Sequence, residues 1–147
     1  MRRLTAVIVL LGCLLTACSH APEPVRYGKD ACAHCKMTIM DKRFAAELVT
    51  AKGKIFKFDA AECMAAYLEE NPAVAADMKS NFLVSDFNQP GQFCDARKAW
   101  FLRDSSLSSP MGGNLAAFIT QSAAKRAQHD PTAKVCDWMT LLKEGDK

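Results

Sequence analysis

The chain lacks a block of basic residues, a second pair of closely spaced cysteines, and a histidine directly after its one Cys-x-x-Cys motif. Each absence removes a function class. Lysines and arginines are scattered as Lys42 and Arg43, Lys52 and Lys54, Arg97 and Lys98, Lys125 and Arg126, which leaves no footprint for nucleic acid. Attachment of c-type haem needs His after the second cysteine, where Lys36 stands. Structural zinc needs four ligands, usually as two close pairs, and the remaining cysteines are isolated. No Ser–His–Asp set, phosphate loop or paired-carboxylate pattern is present, so the residues do not point to an enzyme. The apolar run from Leu4 to Leu15 falls short of the roughly 20 residues that span a bilayer.

That run fits a secretory signal instead. Arg2 and Arg3 form a positive leading region before it, and Leu15-Thr16-Ala17-Cys18 follows. This order looks like a bacterial lipobox, with residues 1–17 removed and Cys18 lipidated as the new N-terminus. Two or more acyl chains anchor a protein stably where one is marginal. Ser19 after the cysteine, rather than Asp, matches the sorting pattern of outer-membrane lipoproteins facing the periplasm. Cleavage leaves about 130 residues, enough for one domain or two very small ones. The formal charge falls from +3 to about +1 as Arg2 and Arg3 depart.

Of seven cysteines, Cys13 leaves with the signal and Cys18 takes the lipid. Cys32, Cys35, Cys63, Cys94 and Cys136 remain. In an oxidising compartment an odd set implies at least one unpaired or metal-held thiol. The densest chemistry lies in Cys32-Ala33-His34-Cys35-Lys36-Met37, which gathers two thiols, an imidazole and a thioether. Thiolate and thioether sulfur select copper(I) among common biological metals. A methionine two residues after the cysteine pair serves neither a disulfide nor a zinc knuckle. In an extended segment Cys35 and Met37 project to the same side and grip one ion together. The rival reading is a thiol–disulfide oxidoreductase using Cys32 and Cys35, in which the methionines have no part.

Residues 18–29 read as a stiff polar tether through Ala21-Pro22-Glu23-Pro24. Strands are expected over Phe44–Thr50 and Ile55–Phe58, joined by the Ala51-Lys52-Gly53 turn. Asp59-Ala60-Ala61-Glu62 resembles a capping box opening a helix to about Glu70. Cys63 and Met64 lie on its apolar face and read as core. Another strand follows at Phe82–Asp86, and Asn88-Gln89-Pro90-Gly91 marks a boundary. Beyond it come a strand over Ala99–Arg103, a Ser/Pro/Gly loop with Met111, and a helix from Leu115 to about Gln128 capped by Asn114. A last strand is expected over Val135–Trp138. The class is α+β, and both halves repeat a strand–helix–strand order. Met111 sits in Pro110-Met111-Gly112-Gly113, a setting unsuited to core packing.

Taken together, these residues resemble the NosL family, copper-binding lipoproteins that accompany maturation of nitrous oxide reductase. The resemblance runs through Cys18, Cys32-x-x-Cys35-x-Met37, Gly53-x-x-Phe56-x-Phe58-Asp59, Val84-Ser85-Asp86, Asp95-Ala96-x-x-Ala99, and Ser109-Pro110-Met111-Gly112 followed by Leu115-Ala116-Ala117-Phe118. It implies two small tandem ββαβ-type units, similar to part of the organomercurial lyase. Residues 30–87 would carry the Cys-x-x-Cys-x-Met motif and residues 88–147 the Met111 loop. It implies copper(I) binding by Cys35, Met37 and Met111, with Cys32 auxiliary, and delivery to nitrous oxide reductase. Some family members lack the first cysteine. Lys36 stands where glycine is frequent in the family, and Cys94 and Cys136 are unusual; they leave open a disulfide of their own, spare buried thiols, or a second metal or redox role.

Overall fold

In the computed structural model, which describes residues 21–144, the regular structure begins with a hairpin closed by a glycine. Gly53 takes a φ of +80°, a conformation open to a residue without Cβ. Its turn joins β1 (Ala46–Val49) to β2 (Ile55–Phe58). The chain then forms α1 (Ala61–Glu70), the single turn α2 (Pro72–Ala75), and β3 (Asn81–Ser85). A short β4 (Phe93–Asp95) leads through a 3-10 turn into β5 (Trp100–Arg103) and β6 (Leu115–Phe118). The order closes with α3 (Gln121–Arg126), β7 (Lys134–Asp137) and α4 (Trp138–Glu144). None of the helices among the described residues is long and apolar enough to cross a membrane. The leader, the cleavage site and Cys18 lie outside the described residues.

The seven strands form two antiparallel sheets, in the orders β2-β1-β3-β4 and β6-β5-β7. In both, the first strand is flanked by the second on one side and by the post-helix strand on the other. β4 pairs with β3, so the first sheet extends past the turn at Asn88–Gly91. The class is α+β, as the element pattern predicts. Two apolar clusters, one larger than the other, join the halves. Trp138 of α4 packs between Phe82 of β3, ring centroids 6.0 Å apart, and Phe101 of β5, 5.8 Å apart. Helix α1 packs on β1 and β2 below it and reaches β6 and α4 of the second half.

Three expectations are corrected. Leu115–Phe118 is a fully buried strand paired with β5, not the start of a helix. A short apolar run bounded by turns satisfies both helical and strand patterns, and the sheet edge available beside β5 decides it. Asn114 adopts φ +51° in the preceding turn, while Thr120 caps the helix by accepting the Ala123 amide at 3.2 Å. The expected capping box does not form: Ala60 is the N-cap of α1. Asp59 accepts the Met40 amide at 3.4 Å, and Glu62 takes a hydrogen bond from Ser109 of the second half. Lastly, the fold reaches back into the expected tether. Val25 is buried, Tyr27 packs on the core, and the Gly28 amide donates to the Ile39 carbonyl at 2.9 Å.

Candidate metal centre

The Cys-x-x-Cys-x-Met motif is the tip of a loop stitched shut across its base. Ala31 bridges Thr38, the Cys32 amide donates to the Met37 carbonyl at 2.8 Å, and the Lys36 amide donates to the Cys32 carbonyl at 3.1 Å. Asp30 anchors the loop through Arg26 at 2.7 Å and Lys57 at 2.9 Å. The Arg26 backbone amide and the Lys57 ammonium together hold its carboxyl well below the usual range. The Ala33 amide donates to the Lys57 carbonyl at 2.8 Å, which fastens the loop to the outer edge of β2.

The segment between Cys35 and Met37 is not extended. Lys36 takes φ +66°, a left-handed conformation that costs an L-residue roughly 1–2 kcal/mol. The projection of both side chains from one face of a strand therefore does not apply. Burial raises the Cys35 thiol, and the Met37 amide opposes that rise.

A third sulfur completes the group. Cys63, in the first turn of α1, meets Cys32 and Cys35 with all three Sγ atoms within 4.8 Å of one another. Cys32 and Cys63 are 1% and 2% exposed, whereas Cys35 lies half-buried at the rim. Sequence reasoning placed Cys63 in the core. It is indeed buried, but its sulfur also faces two thiols brought in by a distant loop. The odd cysteine count and its place in the first turn of a helix were the only signals; a helix N-terminus favours thiolate.

The group concentrates one negative charge on Cys32. Its pKa is drawn down to about 4, chiefly by the Cys63 thiol donating to it. Burial opposes the shift, and the amides of Asp59, Cys35 and His34 assist it. Burial and the neighbouring Cys32 push Cys35 up, and the Cys32 interaction together with burial pushes Cys63 far up. Burial also raises the Asp59 carboxyl, against the opposing Met40 amide. A soft cation replacing the thiol protons satisfies all three sulfurs at once.

The remaining candidates surround the cluster unequally. Met37 is 55% exposed and continues the rim from Cys35. His34 turns towards Glu70, Nδ1 to Oε2 3.7 Å. Met111 is 42% exposed and lines a cavity of about 680 Å³ with Arg103 of β5, Lys134 of β7 and Glu144 of α4. Its loop is nevertheless clasped to the helix that carries Cys63. Ser109 Oγ donates to Glu62 Oε1 at 2.5 Å and accepts the Asn114 amide at 2.9 Å. Arg103 Nη1 holds the Gly113 carbonyl at 2.8 Å. A Cβ at Gly113 would stand 3.0 Å from Glu62 Oε1, so a larger residue there would make the Glu62 carboxylate give by a few tenths of an ångström.

Three convergent thiols on a small α+β scaffold define a candidate soft-metal-binding protein. The chain belongs to the NosL family, whose model matches residues 26–143. It is similar in fold to the crystal structure of the copper chaperone NosL from Shewanella denitrificans, with a TM-score of 0.69 and 21% identity over 83% of this chain and 96% of that one. No curated protein matches the chain.

Proposed function

We propose that this protein is a copper(I) chaperone, lipidated at Cys18 and facing the periplasm from the outer membrane. Its cargo serves assembly of the copper centre of nitrous oxide reductase. The observation that carries the reading is the meeting of three sulfurs within 4.8 Å, in a motif whose Met37 is exposed. Cys35 anchors the ion from the rim, with Cys32 and Cys63 behind it. Met37, and Met111 from the second unit, supply neutral thioethers. The deep sulfurs exclude water and harder ions, while the rim ligands leave a path for ligand exchange with a recipient. Family membership and the likeness to a copper chaperone support the carrier role. The matching strand orders support a reading as two tandem ββαβ-type units, the first carrying the motif and the second the Met111 loop. The oxidoreductase rival needs an accessible nucleophile, and Cys32, the thiolate, is 1% exposed.

Anaerobic titration with copper(I) against a competing chelator tests the site. Tight one-to-one binding, weakened in Cys35→Ser and Met37→Ala, is expected; unaltered binding in both variants overturns the ligand set. Delivery is tested separately by the copper content of nitrous oxide reductase in a deletion strain. Full copper loading without the protein overturns the recipient assignment.

A further inference from the structure

The cluster holds more thiols than its rim requires. Cys35 and Met37 offer a thiol and a thioether on the solvent side, Cys35 half-buried and Met37 exposed. Behind them, Cys32 and Cys63 are almost completely buried, with their Sγ atoms within 4.8 Å of each other. Their backbones are fixed independently: the Cys32 amide on the Met37 carbonyl, and the Cys63 amide on the Ala60 carbonyl at 3.1 Å. A disulfide needs the two sulfurs to close to about 2.05 Å from a separation already within 4.8 Å, which a side-chain adjustment supplies.

We propose that Cys32 and Cys63 form a two-electron donor pair that reduces cupric ions reaching the rim, while Cys35 and Met37 keep the cuprous product. This rests on the copper reading above. In the step, the Cys63 S–H bond breaks, the Cys32 thiolate gives up its charge, and one S–S bond forms between them. One proton leaves to solvent. The two electrons convert two Cu²⁺ ions to two Cu⁺ ions, one retained at the rim and one released. The choice of pair has consequences. Joining Cys32 to Cys35 would consume the rim thiolate and strand Cys63 in the core. It would also close only the tight loop tip, which constrains little, whereas joining Cys32 to Cys63 ties the motif loop to α1 across a long loop. Oxidation of the deep pair leaves a site with one thiolate, weaker than three and better suited to hand its ion on.

The experiment uses the reduced full chain under argon. Two equivalents of cupric sulfate are added with bicinchoninate present as a copper(I) trap, followed by thiol counting and peptide mapping. The expected result is two cuprous ions per chain, one in the trap and one held by the protein, two thiols lost, and a Cys32–Cys63 linked peptide. Cys94→Ser, outside the cluster, should retain both the yield and the link, and Cys63→Ser should lose the link and most of the yield. A Cys32–Cys35 peptide as the main product, or full yield in Cys63→Ser, overturns the proposal. Mapping on the parent protects the conclusion if a variant fails to fold. Copper(I) affinity of the reduced parent is read in parallel. Tight binding without the Cys32–Cys63 link sinks this proposal alone; absent binding sinks the copper reading with it.

Discussion

The five thiols of the described chain occupy two environments. At the corner between the motif loop and α1, Cys32, Cys35 and Cys63 face one another and the backbone amides around them. In the sheets, Cys94 on β4 and Cys136 on β7 are half-buried against the apolar core, each a free thiol. Burial acts on all five, yet the outcomes diverge. Cys32 falls to about 4 because donors converge on it, whereas Cys94 and Cys136 rise to about 11 because burial meets no compensating donor. Desolvation by itself makes a cysteine inert; convergent donors make a buried cysteine a ligand.

The largest expected contrast is in copper(I) affinity. Removing one orienting group around a metal commonly costs 10–100-fold, and Cys35→Ser should exceed about 100-fold because it removes the proposed anchor itself. Cys94→Ser and Cys136→Ser should leave the affinity unchanged. Chelator competition on the three variants reads this, and a comparable loss in a sheet variant would erase the distinction between the environments.

A second contrast concerns the clasp between the halves. Ser109→Ala removes a hydrogen bond from the buried Glu62 carboxylate and should cost about 1–3 kcal/mol in urea unfolding. A neutral result would separate the Met111 loop from the helix that bears Cys63.

Acid sensitivity distinguishes the two sets by sign. In the metal-free protein Cys32 has a folded pKa of about 4 against an ordinary value of 9.0. Its contribution to stability is therefore complete above pH 9 and is lost as pH falls towards 4. Cys94 and Cys136 act oppositely: with folded values near 11, they favour folding below pH 9 relative to higher pH, and their contribution is lost as pH rises through 9 to 11. Between pH 5 and 8, Cys32→Ser should flatten the rise in unfolding free energy, by at most about 1.4 kcal/mol per pH unit, while Cys94→Ser should not. Equal slopes in parent and Cys32→Ser, measured by urea unfolding, would remove the buried thiolate.

The smallest effect is at Lys36. Lys36→Gly relieves the left-handed backbone at the motif tip and should change stability by about 1 kcal/mol or less, since relieved strain is offset by added unfolded-state freedom. Thermal unfolding checks it, and a large loss would show that the Lys36 side chain, which donates to the Ala33 carbonyl, holds the tip.

Much of this architecture was legible along the chain. The hairpin at Gly53, the helix ending at Glu70 before Pro72, and the strands over β3, β5 and β7 follow from local pattern and turn chemistry. The errors have a common cause. Leu115–Phe118 has an ambiguous period that a free sheet edge resolves, and Asp59 and Glu62 spend their carboxylates on Met40 and Ser109 rather than on a helix cap. Distant partners outcompeted local ones each time.

The same division runs through the site. Residues 32–37 carry their soft-ligand chemistry in their composition, because sulfur selects its metal wherever the backbone places it. That Cys63 joins them, that Cys32 bears the charge, and that Cys35 and Met37 face outward are products of packing. The Lys57 carbonyl fastens the motif loop to β2, and the turn after Phe58 swings the first turn of α1 beneath that loop. Ligand chemistry is local and short-ranged in the chain, but the contact of three sulfurs depends on where two separately built elements meet, and only the closed core supplies that.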